Sequence, residues 1–297
     1  MVELFRFFEP SLGPRLGMAT GEDVFDLTSV VGSLTAWLQT TAGDVDGAIR
    51  RTVQTAQAAA PICHISSISA IPLTGRRYFL APVENQEVWA AGVTYARSRA
   101  ARQEEAQDGG DIYARVYQAE RPELFFKSYG EKVVGPGENA GIRSDAAWSV
   151  PEPELAVVLN PALEVVGFTI GNDLSSRDIE GANPLYLPQA KTYTASCALG
   201  PQIALSARKD WPQAAIGLQI ERQGQVIFAG KTHTNQIQRS LNDLVDYLGR
   251  SSRFPNGVIL LTGTGIIPPA KFSLQAGDAV SIEIEGIGVL RNPIVRV

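Results

Sequence analysis

Apolar and polar positions change rhythm along this chain, and the changes mark its elements. Residues 2–8 form an apolar-rich, strand-like opening run. A polar turn region follows, and 34–38 has a helical texture. Residues 43–60, rich in Ala, Gln and Arg, predict a second helix. Pro72 and Pro82 bracket an edge strand or linker. The segment 1–82 is therefore expected to form a small N-terminal α/β domain, with a larger domain over 83–297.

From Glu87 the texture differs. Residues 88–93 are a short apolar strand ending at Thr94 and Tyr95. Residues 96–107 suit a helix, Gly109 and Gly110 break it, and Asp111 is placed to cap a short helix over 112–119. Residues 124–127 read as a strand. Beyond them the pattern is mainly β, with short β-rich runs at 154–159, 165–170, 203–205, 217–222, 226–229, 258–261 and 279–284. A hairpin joins 217–221 to 225–228 through a turn containing Gly224. One late amphipathic helix is expected, with Thr234 as its N-cap. Ile237, Leu241, Leu244, Val245 and Leu248 share its apolar face, and Gly249 stops it. Many short strands with few helices predict an α+β, mainly β chain built on a rolled, mixed sheet. The regular βα alternation and GxGxxG of a dinucleotide-binding fold are absent.

Composition narrows the functional classes. The 297 residues allow one large domain or two, and bury enough apolar surface to fold without a disulfide or structural metal. A net charge of −5 argues against a nucleic-acid surface. No run of about 18 apolar residues exists to span a membrane. Glu3 and Glu9 interrupt the first segment, which does not read as a cleaved leader, so a cytoplasmic location is expected. Cys63 and Cys197 lie outside any Cys/His cluster, which excludes a thiolate zinc site and leaves two buried thiols. Only His64 and His233 could serve a Ser-His-Asp triad, and there is no GxSxG elbow.

The chemistry concentrates in a few places. Glu152 and Glu154 alternate with Pro151 and Pro153 at the mouth of an apolar strand. In extended backbone, side chains two apart point the same way, with Cα atoms roughly 6.5–7 Å apart. Two anions converging beside apolar residues require a cation between them, and a hard divalent ion suits an all-oxygen site. The alternative is a solvated strand end. If 154–159 and 165–170 pair as a hairpin, Asp173 returns to the level of both glutamates. Three carboxylates then leave about three octahedral positions open for water or substrate. Asp173 alternatively forms an Asx-turn or helix cap. Lys191, among aromatic and apolar neighbours, is a candidate desolvated base, or a surface lysine. The loop from Leu261 to Gly265 offers hydroxyl and N–H donors, or is an ordinary turn.

These pieces occur in one order: PEPELAVVL (151–159), GNDLSSRDIE (171–180), QAKTY (189–193) and LLTGT (260–264). In that order they resemble the fumarylacetoacetate hydrolase superfamily over about 85–297. The resemblance implies a β-roll catalytic domain and a divalent metal on Glu152, Glu154 and Asp173, with Mg²⁺ first and Mn²⁺ or another divalent cation in its place. It also implies a role for Lys191 and a homodimer or homotetramer. RPELFFK (121–127), Arg143-Ser144-Asp145 with Trp148, and NPLYLPQ (183–189) resemble the branch that dehydrates 2-keto-3-deoxy pentonates in pentose catabolism. Hydrolases of the superfamily carry Tyr-x-x-His-x-x-Glu after the first catalytic strand. Here Tyr95 is followed by Ser98 and Ala101 at the His and Glu positions, while Arg99 matches an arginine of the dehydratase pattern. The expected activity is metal-dependent dehydration of a small 2-keto acid, with Lys191 and Glu123 as catalytic candidates and Arg99 and Thr264 as substrate-binding candidates. Glu123 alternatively pairs with Arg121 or Lys127. The competing activity is hydrolysis of acylpyruvate or 2,4-diketo-3-deoxy sugar-acid C–C bonds.

Overall fold

The structure is a computed structural model, and it describes residues 2–97, 111–208 and 210–297. Ser98, Arg99 and Ala101, and most of the helix expected over 96–107, lie outside the described residues. Strand β1 (Val2–Glu9) folds back on β2 (Gly13–Thr20), and β2 on β3 (Asp23–Asp26). The stretch expected to be a polar turn region therefore holds two strands, hidden by Gly13, Pro14 and Gly17. Gly17 answers a packing demand, since a Cβ there would stand 2.7 Å from the Phe5 ring.

Helices α1 (Thr28–Val31), α2 (Leu34–Thr40) and α3 (Val45–Gln57) follow. Ser33 and Asp44 cap α2 and α3 by accepting from Ala36 N and Gly47 N. Trp37, Leu38 and Val45 from these helices pack with Leu4, Leu16 and Met18. Strand β4 (Cys63–His64) pairs with β3, and β5 (Tyr78–Leu80) with β1.

The remaining strands are β6 (Glu87–Gly92), β7 (Glu123–Tyr129), β8 (Ala140–Ile142), β9 (Ser149–Val150), β10 (Pro153–Leu159), β11 (Val165–Asp173), β12 (Ser175–Ser176), β13 (Cys197–Leu205), β14 (Ala215–Arg222), β15 (Gln225–His233), β16 (Val258–Leu261), β17 (Ala279–Ile284) and β18 (Gly288–Arg296). The large sheet runs β4-β3-β2-β1-β13-β11-β10-β16-β6-β7, and a second sheet runs β15-β14-β17-β18-β8. The β16–β6 and β18–β8 pairs are parallel, so both sheets are mixed. The mainly β, mixed-sheet class expected from the pattern is the class that forms. The 82/83 division falls between β5 and β6, and the large sheet continues across it because β1 pairs with β13.

The second sheet and the helix Leu241–Gly249 close over the centre of the large one. Leu155, Val157 and Phe168 meet Ile216, Ile282 and Leu244 there. Ala156 and Val158, on the opposite face of β10, enter two other apolar clusters. Burial on both faces explains why β10 reads as an unbroken apolar run rather than an alternating one.

Three boundaries differ from expectation. Strand β13 begins at Cys197 rather than 203, because the β11–β13 ladder shifts register between Phe168 and Ile170 and admits Pro201. Asp111 stands within helix α4 (Asp111–Gln118). After α5 (Arg177–Ala182) and α6 (Leu187–Lys191), the late helix α7 (Leu241–Gly249) starts well past Thr234. Ser240 is its N-cap, accepting from Asp243 N at 3.0 Å. Thr234 is not available for that role: its hydroxyl turns inward, accepting from Ala214 N at 3.0 Å and donating to Pro212 O. Ile237 precedes the helix.

Candidate metal centre

The β10–β11 hairpin sets the register of the site. Glu154 lies opposite Gly171 and Pro153 opposite Asn172. Asp173 N donates to Glu152 O at 3.0 Å, which carries the alignment past the end of β10. Strand parity then puts Glu152, Glu154 and Asp173 on one face. Each offers an oxygen within 4.8 Å of the others, and all three residues are buried. The convergence expected from the hairpin is therefore present.

The chain holds one oxygen of each carboxylate from outside. Arg177 Nη2 donates to Glu152 Oε1 at 2.6 Å. Lys127 Nζ stands 2.5 Å from Asp173 Oδ1, an ion pair not aligned as a hydrogen bond. Gly263 N donates to Glu154 Oε2 at 2.6 Å. Lys191 Nζ donates to Glu152 Oε2 at 2.7 Å and to Asp173 Oδ2 at 2.8 Å. Lys127, Arg177 and Lys191 thus set three cations against three carboxylates, and all six side chains are buried.

Glu154 differs from the other two because it receives a backbone N–H rather than one of these cations. Burial first, then the charges of Asp173 and Glu152, hold its carboxyl well above the usual carboxylate range. Added positive charge at the convergence point stabilises its ionised form. Three buried oxygen donors with that electrostatic demand fit a hard divalent cation.

A small pocket opens over the carboxylates, lined also by Glu123, Phe125, Glu180, Lys191 and Thr264. Glu123 starts β7 opposite Gly92. A Cβ on Gly92 would collide with the Glu123 carboxylate, so the glycine lets the acid lie flat on the strand. Lys127, one of the expected alternative partners of Glu123, pairs with Asp173 instead. Lys191 ends α6 and is buried, as expected for a desolvated lysine. Thr264 reaches the pocket, but its Oγ1 engages its own loop, 3.2 Å from Ile266 N and 3.3 Å from Ile266 O. The candidate Arg99 lies outside the described residues.

Three residues at the site were not picked out from the sequence. Lys127 is the third of Glu123, Phe125 and Lys127, spaced two apart on one strand. Arg177 and Glu180 are three apart on α5, so they share a helix face. The helical spacing of Arg177 and Glu180 was visible in the chain, whereas the bulge that places Lys127 was not. Tyr95 is also buried close by, and among the described residues its hydroxyl has no hydrogen-bond partner. Burial, then the Glu154 charge, push its phenol up. Cys197, opposite Asp173 on β13, is a buried free thiol pushed up to about 12 by burial.

Comparison with known proteins bears on this geometry. Residues 87–295 match the family model for the fumarylacetoacetate (FAA) hydrolase C-terminal region. The chain is 47% identical over 222 residues to a probable 2-keto-3-deoxyxylonate dehydratase of Haloferax volcanii, covering 74% of this chain and 76% of that one. It is 44% identical over 219 residues to a 2-dehydro-3-deoxy-D-arabinonate dehydratase of Saccharolobus solfataricus, covering 72% and 74%. Among solved structures, it superposes on a 2-keto-3-deoxy-D-arabinonate dehydratase complexed with magnesium and 2,5-dioxopentanoate. That match has a TM-score of 0.82 and 32% identity, and covers 100% of this chain and 99% of the other.

Proposed function

This chain belongs to the fumarylacetoacetate hydrolase family, and on that premise we propose that it is a metal-dependent hydro-lyase acting on a 2-keto-3-deoxy sugar acid. The substrate is a 2-keto-3-deoxy-D-pentonate and the products are 2,5-dioxopentanoate and water. The observation that carries the proposal is the convergence of Glu152, Glu154 and Asp173 under a pocket that also holds Lys191 and Glu123.

Glu152, Glu154 and Asp173 hold the cation, with Mg²⁺ the first choice. A bound divalent cation supplies Lewis acidity that stabilises negative charge developing at the C2 oxygen of a 2-keto acid. Lys191 and Glu123 are the groups assigned to proton transfer. One takes the C3 proton, and the electron pair left behind forms the C3–C4 double bond. The C4–O bond breaks, and the departing hydroxyl takes a proton from the other group and leaves as water. Tautomerisation then turns the C5 hydroxymethyl into an aldehyde. Arg99 and the Thr264 loop are assigned to the substrate's carboxylate and hydroxyls. Phe125 adds an apolar face to the pocket wall.

Among the described residues no helix is long and apolar enough to cross a membrane. We assign the protein to the cytoplasm, as a homodimer or homotetramer. The exposed Leu185 and Tyr186, on the turn that leads into α6, suit self-association. Light scattering on the purified protein measures the assembly.

The deciding experiment is incubation with 2-keto-3-deoxy-D-arabinonate and Mg²⁺, with and without EDTA. The expected result is 2,5-dioxopentanoate, lost on chelation. Pyruvate plus glycolaldehyde, or no turnover, overturns the proposal. Hydrolysis of an acylpyruvate or of a 2,4-diketo sugar acid by the same protein establishes the competing reading instead.

A further inference from the structure

The structure assigns Lys127 as a positioning residue: one buried ammonium fixes Asp173 and the backbone of Lys191 in register with each other. Its Nζ donates to Lys191 O at 2.6 Å and to Leu174 O at 2.9 Å, and stands 2.5 Å from Asp173 Oδ1. The three contacts come from three places in the chain: the end of β11, the residue after it, and the end of α6.

The local fold is built to deliver this side chain. In the β6–β7 ladder, Trp89 pairs with Phe126 and Val88 with Ser128, so Lys127 is the extra residue of a bulge. A bulge re-aims a side chain out of the regular pleat. Lys127 is fully buried, and an ammonium in that position is tolerated only with its partners in place. The Tyr193 ring, 5.9 Å from Nζ, adds an aromatic face.

Two consequences follow for the site. Asp173 is left with Oδ2 to present to the pocket, because Oδ1 is held from behind. The Lys191 backbone cannot drift from the carboxylates, because its carbonyl is tied to the cation that holds Asp173. Lys127 is not among the residues that line the pocket. It acts through Asp173 and Lys191.

The inference rests on the reading that the carboxylates bind a divalent cation, and the test separates the two. Mn²⁺ alone is titrated into the purified full-length parent, Lys127→Met and Lys127→Gln, by calorimetry and water-proton relaxation. Folding is checked by circular dichroism. Met removes the charge and the donors, whereas Gln keeps two N–H donors without the charge. The expected result is Mn²⁺ binding at least tenfold weaker in both folded variants, with kcat falling as well as KM rising for the keto acid. Folded variants that bind Mn²⁺ within twofold of the parent overturn the assignment. So does failure of both variants to fold, which makes Lys127 a residue of the core alone. A parent that binds no Mn²⁺ defeats the metal reading itself, and this inference with it.

Discussion

Lys191 and Glu152 form a buried ion pair, Nζ to Oε2 at 2.7 Å, while Arg177 Nη2 donates to the other Glu152 oxygen at 2.6 Å. Deleting one partner of a buried pair costs about 3–5 kcal/mol, because the other charge is left in low dielectric. In Lys191→Met, Arg177 still reaches Glu152 and Lys127 still reaches Asp173. The expected loss is therefore near the lower limit, about 3 kcal/mol in urea unfolding. Turnover should fall about 10²–10⁴-fold, the range for losing a proton-transfer group. A variant with near-parental turnover removes Lys191 from the mechanism.

Glu154 predicts a pH dependence of metal binding. Its carboxyl titrates above the usual range, so a cation must displace a proton over a pH span where an ordinary carboxylate is already ionised. Apparent Mg²⁺ affinity should rise with pH until that group has titrated. The stability linkage has the matching sign. A raised carboxylate pKa means the unfolded chain ionises first, so stability in EDTA falls as pH rises above 4.5, the unperturbed value. Glu154→Gln removes that penalty and keeps the oxygen that accepts from Gly263. It should melt higher than the parent in EDTA at neutral pH, and it should not respond to Mg²⁺. The parent should gain about 2.7 kcal/mol at Mg²⁺ a hundredfold above Kd. Parental Mg²⁺ stabilisation in the variant removes Glu154 from the ligand set.

Glu123 lies on Gly92 at the pocket wall and is not one of the three converging carboxylates. Glu123→Gln should therefore bind Mn²⁺ as the parent does while losing about 10²–10⁴-fold in kcat. Exchange of the substrate's C3 proton in D₂O identifies the base. Loss of exchange in Glu123→Gln assigns proton removal to Glu123, and retained exchange assigns it to Lys191.

Cys197 sets an alkaline limit. Its thiol titrates at about 12 in the fold against an ordinary value of 9.0. The unfolded chain therefore loses this proton first, and stability present below pH 9 falls as pH rises towards 12. The slope from one such group is about 1.4 kcal/mol per pH unit. Between pH 9 and 10, Cys197→Ala should flatten part of the decline seen in the parent. An unchanged slope excludes this thiol as its source.

The legible part of the site was the part built by neighbours in sequence. β10 and β11 are joined by a short turn, so the hairpin and the place of Asp173 beside Glu152 followed from alternation and spacing. Lys191 was legible as a lysine among apolar residues. Lys127 was not, because Leu124-Phe125-Phe126-Lys127 reads as an ordinary strand and a bulge has no local signature. Glu180 and Arg177 enter the site only because α5 packs across the β10–β11 end. β2 and β3 escaped because Gly17 serves the rings of Phe5 and Phe7 rather than a turn. Thr234 and Ser240 are both N-cap residue types, with Ser only modestly preferred. Tertiary contacts to Pro212 and Ala214 decided between them.

The β1–β13 pairing also constrains how the protein is made. Glu3 and Leu4 bond to Ala204 and Ile203, residues synthesised about two hundred positions later. β5 covers one edge of β1 at Arg6–Phe8, but the Glu3–Leu4 stretch of that edge must wait on the ribosome until β13 emerges, and the carboxylate cluster waits longer still for Gly263. Such long-range closure is intrinsically slow and exposes strand edges to misassociation. Nascent chains stalled before residue 196 should therefore remain protease-sensitive throughout. The centre should become protected in one late step, once β16 has joined β10.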